Sequence, residues 1–204
     1  MSIEPKVIKV HVGGSSTSSG SLSIAARETI EKHLFTIAKE HAQLASENVD
    51  RENVPKMQIE MKHSIIAIVM SFTALEALSN DLYKKITGND FDSDEFKKFD
   101  NNPIKKWKKL AKLAFRLKNP SEQLRLPSNF TKALNEIRIL RNQIIHYKPK
   151  PENIETLRRT PDNHVVSPEL AIFTSKEATK AVQTVRTLLK TFEEITGYEV
   201  PKLE

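Results

Sequence analysis

Ile65-Ile-Ala-Ile-Val-Met-Ser-Phe-Thr-Ala-Leu-Glu-Ala-Leu-Ser-Asn-Asp-Leu-Tyr-Lys-Lys-Ile-Thr-Gly88 is the stretch whose reading decides the fold. Its apolar residues Ile65, Ile68, Val69, Phe72, Leu75, Leu78, Leu82 and Ile86 recur every three or four positions. That is the period of an α-helix with one buried face, and strand alternation does not fit it. Pro55 suits the first turn of such a helix, where its missing N–H is not needed, and Gly88 suits the residue just past its end. A helix with so broad an apolar face must be covered by other elements.

Those elements read as further helices. Upstream, Ile30, Leu34, Ile37, His41 and Leu44 recur at helical intervals in a segment that runs without Pro or Gly from about Leu22 to near Asn48. Downstream, a basic helix follows Pro103. A fourth runs from about Ser128, a candidate N-cap, through Phe130, Leu134, Ile137, Leu140 and Ile144 to Tyr147, where Pro149 and Pro151 stop it. A fifth spans Ser175 to Thr196, carries Ala178, Val182, Val185, Leu189, Phe192 and Ile195, and closes at Gly197. The expectation is an all-α bundle of about five helices forming a single domain over residues 22–204. Residues 1–21 read as an N-terminal arm: Val7 to Val12 reads as a short strand or extended arm, and Gly13 to Ser21 has linker composition. Pro149 to Pro168 reads as a polar, proline-punctuated loop longer than bundle connections usually are, either a cover over a site or a loose connection.

With 204 residues the chain is long enough for one sizeable core. It has no cysteine, which excludes disulfides, thiolate metal sites and cysteine nucleophiles. The start lacks the pattern of a signal peptide, and no segment is expected to approach the roughly 18 apolar residues of a membrane helix, so a cytoplasmic location is expected. Net charge is +6, a modest excess. It is concentrated between Lys105 and Lys118, a run with no acidic residue. One reading is a solvated helix face with Trp107, Leu110, Ala111, Ala114 and Phe115 turned to the core. The other is an RNA path over Lys105, Lys106, Lys108, Lys109 and Lys112, with Trp107 open to base stacking.

Chemistry is suggested at one place, Leu140-Arg-Asn-Gln-Ile-Ile-His146-Tyr147. Arginine is always charged and binds phosphate in a fork geometry, and histidine exchanges protons near neutral pH. Together they suffice to cleave RNA without a metal. On a helix Arg141 and His146 lie about 140° apart, whereas Arg138, Asn142 and His146 follow one another at i, i+4 along a polar ridge. Cleavage through the 2′-hydroxyl needs a base, an acid and positive charge on the phosphate. One histidine does not easily serve both sides, so the residues suit a site completed by a second copy. The carbonyl end of the helix also favours the charged imidazolium of His146.

The Arg141-x-x-x-x-His146 spacing, Asn142 between them and the polar-spotted helix Ser71 to Tyr83 resemble the HEPN superfamily of compact helical domains. The two matching segments cover about 20 residues. The resemblance implies a metal-independent endoribonuclease whose composite site forms across a homodimer. Arg141 and His146 would be its catalytic pair and RNA its substrate, with no cofactor required. It also implies a role in toxin or antiviral defence, with an antitoxin or defence-system protein as a further partner. Asn142, Glu76, Asn80 and Tyr147 would support the pair, and Arg138 would contact RNA. In toxins of this kind a tyrosine two residues past the histidine can receive a nucleotide; here Tyr147 is adjacent and Lys148 stands in the expected place, so that regulation does not carry over.

Two other readings stand beside this one: a non-catalytic HEPN-like module that binds RNA or protein, and a helical dimeric scaffold. His33, His41, His63 and His164 form no recognisable metal-ligand pattern and are expected to be structural or surface residues. Asn89 to Asp94 lacks the glycine and spacing of a calcium loop, and no glycine-rich phosphate loop exists.

Overall fold

The computed structural model describes residues 19–50, 53–89, 102–145, 158–159, 165–166 and 173–203; side chains are described from residue 30 onward, excepting 158–159 and 165–166. The described residues form an all-α bundle of five helices: α1 (Ser19–Glu47), α2 (Val54–Thr87), α3 (Pro103–Lys118), α4 (Ser128–Ile145) and α5 (Ser175–Thr196). A two-residue antiparallel pair, β1 (Arg158–Arg159) with β2 (Val165–Val166), interrupts the segment expected to be loop throughout. The expected extended segment Val7 to Val12 lies outside the described residues. So does the linker as far as residue 18, but Ser19, Gly20 and Ser21, assigned to that linker, belong to α1.

α2 is the central helix, packed against α1, α3, α4 and α5. Asn53 caps its first turn by accepting a hydrogen bond from the Lys56 N–H, and Gly88 ends it at φ 72°, a left-handed conformation that favours glycine. Ile68, Phe72, Leu75, Leu78 and Leu82 are buried as the periodicity required. One expectation fails here. α2 is long and apolar enough to cross a membrane, with an 18-residue window of mean hydropathy 1.5, 56% of it buried inside the bundle. A helix surrounded on several sides needs an apolar surface of nearly that composition.

The core-facing stripe of α1 also differs from expectation. Phe35, Ala38, Ala42 and Ala45 are buried together with Glu31, whereas Ile30 and Leu44 are exposed and Leu34, Ile37 and His41 half-buried. α1 packs against both α2 and α5, and its buried face is built largely of small alanines in the common core.

Asn102 caps α3 through the Lys105 N–H, and Trp107, Leu110, Ala111 and Ala114 face the core. Trp107 is 1% exposed and meets Phe192 of α5 edge-on, with ring centroids 5.6 Å apart. The Lys118 ammonium donates to the Gly197 carbonyl, joining the end of α3 to the end of α5. Beyond α5, Val200 and Leu203 return to the core, which the sequence reading did not anticipate.

Candidate functional site

α4 meets α2 through Leu140, which joins Ile68, Phe173 and Ala181 in a small apolar cluster flanked by Ile65 and Ile144. That contact fixes the rotation of α4 about its axis. The next residue, Arg141, is thereby delivered onto the face of Phe72, with its guanidinium carbon 5.1 Å from the ring centroid. The negative face of an aromatic ring attracts a planar cation at this distance. Arg141 Nη1 also donates to Asn142 Oδ1 at 3.2 Å.

Among the described residues, Arg141 therefore contacts a ring and a neutral amide, and no carboxylate. Within that set its charge is oriented without being neutralised, and its side chain remains partly exposed. Such an arginine can take an anion without first breaking an ion pair.

Phe72, Glu76 and Asn80 follow one another at i, i+4 and i+8 on α2, so a polar track extends from the ring that holds Arg141. Glu76 and Asn80 are half-buried. Asn80 Oδ1, Ser71 Oγ and Arg138 Nε are buried atoms with no hydrogen-bond partner among the described residues. Unsatisfied polar atoms are uncommon inside native proteins; Ser64 Oγ on α2 shares this condition, so such atoms are spread along α2 and do not by themselves mark the seam between α2 and α4 as a site.

The structure thus brings together Arg141, Asn142 and Phe72; the last was read from sequence only as a core residue. α4 is described to Ile145, and His146 and Tyr147 lie outside the described residues. On α3, Lys105 and Lys112 are exposed and Lys108 and Lys109 partly so, but Lys106 is 7% exposed and does not belong to that open face. The burial of Trp107 likewise removes it as a base-stacking platform.

A second polar feature lies away from this seam. His41 of α1 and His63 of α2, expected to be unrelated structural or surface residues, meet with their Nδ1 atoms 2.7 Å apart. Burial, the neighbouring His41 and Lys62 together hold the His63 imidazole below its usual range. No three His, Asp or Glu residues converge as a metal-ligand group among the described residues.

Neither a family model, nor a curated protein, nor a solved structure matches this chain.

Proposed function

We propose that the protein is a HEPN-like, metal-independent endoribonuclease that acts as a homodimer. The observation that carries this reading is the Arg141 guanidinium, held against Phe72 and paired with no carboxylate among the described residues, near the end of the helix that leads to His146. In the proposed reaction a His146 imidazole removes the proton from a ribose 2′-hydroxyl. The 2′-oxygen attacks the adjacent phosphorus, and the bond from phosphorus to the 5′-oxygen breaks. The leaving oxygen takes a proton from the second copy's histidine, and the products are a 2′,3′-cyclic phosphate and a 5′-hydroxyl. Arg141 opposes the negative charge that develops on the phosphate oxygens. Asn142 holds Arg141 in place, and Glu76 and Asn80 line the approach. Lys105, Lys108, Lys109 and Lys112 supply a backbone-binding path independent of base identity. A toxin or defence role, with a protein partner that restrains the activity, belongs to the same proposal.

The non-catalytic reading draws on the same contact, because an arginine stacked on a ring can also serve only to join α4 to α2. Cleavage of a labelled RNA panel in EDTA by wild type, Arg141→Ala and His146→Ala separates the two. Cyclic phosphate ends lost in both variants support the ribonuclease. Intact RNA with wild type, bound in a salt-dependent manner, supports a binding module.

A further inference from the structure

The contact between His41 and His63 is independent of the proposed ribonuclease site. The two imidazoles come from different helices, 22 positions apart in sequence, and converge by their Nδ1 atoms rather than stacking. Their ring centroids are 4.9 Å apart and the planes are inclined by 37°. Both side chains are half-buried, so water and small ions reach them while their backbones lie on two helices packed against each other.

We propose that His41 and His63 form a two-imidazole chelate for a late first-row divalent ion of the nickel, copper and zinc class, clamping α1 to α2. Two nitrogens bound to one such ion at about 2.0–2.1 Å lie roughly 2.9 Å apart at a right angle and roughly 3.4 Å apart at a tetrahedral angle. From the observed 2.7 Å the nitrogens need to separate by well under 1 Å, and each ring, whose Nδ1 now points at the other, must turn about its side-chain bonds to aim at a shared ion. Without an ion, one Nδ1 must carry a proton and donate to the other. With an ion the donating ring moves its proton from Nδ1 to Nε2 through solvent, so that both Nδ1 lone pairs face the ion, each ring carries its hydrogen on Nε2, and water completes the coordination. Imidazole suits this metal class, whereas calcium and magnesium require oxygen ligands. The depressed proton affinity of His63 reduces competition from protons at neutral pH. The positive charge of Lys62 that contributes to it also opposes a dication, so the clamp is weaker than the imidazoles alone would make it.

The test is thermal unfolding of the full chain, with and without nickel or zinc chloride, and with EDTA added afterwards. At a hundredfold excess over Kd the ion should raise Tm by about 5–10 °C, reversibly. His41→Gln and His63→Gln should each lose that rise, since an amide preserves a polar contact across the helices but does not replace imidazole. Lys62→Gln, an exposed change, should tighten binding severalfold. The proposal is overturned if wild type shows no rise with millimolar nickel or zinc, if either Gln variant retains the rise, or if magnesium produces it equally. RNA cleavage in EDTA does not enter this test, so its outcome and that of the ribonuclease proposal are separable.

Discussion

The Arg141 guanidinium carbon stands 5.1 Å above the ring centre of Phe72, and this contact joins the helix bearing the candidate motif to the central helix of the bundle. Its planarity matters, because a guanidinium can lie flat on a ring and still present N–H groups at its edge, whereas an ammonium cannot. Arg141→Lys should therefore keep the charge and lose the orientation. Under the ribonuclease proposal kcat falls at least tenfold in Arg141→Lys while the fold, read by circular dichroism, is unchanged. Equal cleavage by the lysine variant would show that charge alone is used.

Phe72→Leu tests the same contact from the other side. Leucine fills most of the volume at this buried position, so the expected loss of stability is about 1–2 kcal/mol, combining imperfect packing with the missing cation–π attraction. Phe72→Leu combined with Arg141→Ala should then be less destabilising than the two single effects added together. Urea unfolding of the four proteins measures this directly; strict additivity would mean that the ring and the guanidinium do not interact.

Glu60 performs work for which the sequence offers no pattern. It is 1% exposed, and its Oε1 accepts a hydrogen bond at 2.8 Å from the Ser175 N–H in the first turn of α5, where Thr174 makes no side-chain cap. A carboxylate there also meets the positive end of the helix dipole. Glu60→Ala should lower stability by about 1.5–3 kcal/mol, and Glu60→Gln by less, because an amide oxygen still accepts the bond. A Glu60→Gln variant as unstable as Glu60→Ala in urea unfolding would place the effect in the charge instead.

The helices and most buried faces were legible in the sequence because their signals are local. Pro55, Gly88, Pro103 and Gly197 mark ends, and the stripes of α2, α3, α4 and α5 have helical periods. What was not legible depends on partners distant in sequence. The face of α1 was assigned by its larger apolar residues, but its packing into the bundle buries Ala38, Ala42 and Ala45, which a hydrophobicity pattern weighs lightly. Trp107 and Lys106 were offered to RNA from composition, and the rotation of α3 against Phe192 of α5 turned the tryptophan inward. At the candidate site, Arg141 and Asn142 were visible as a motif. Phe72 was visible only as core, because nothing in a single helix says which ring an arginine from another helix will meet.

Overpacking tests the reassigned face of α1. Ala38 and Ala45 are both fully buried. Replacing Ala38 by Leu should push α1 away from the core and destabilise the protein by about 1–3 kcal/mol. Ile37→Ala, at a half-buried position on the originally expected stripe, should cost less. The opposite order in thermal unfolding would restore the hydrophobic stripe as the core face.

Acid should weaken the bundle through His63. Its folded-state proton affinity is depressed, chiefly by burial and next by His41 and Lys62, so the unfolded chain binds more protons than the folded one as pH falls below the ordinary value of 6.5. The sign follows: the folded state has its full stability from this group above pH 6.5 and loses it progressively down to the depressed folded value. In EDTA, to exclude any bound ion, the Tm of wild type should drop between pH 7 and pH 5 more steeply than that of His63→Gln. Parallel pH profiles for the two proteins would mean that the imidazole pair does not couple protonation to folding.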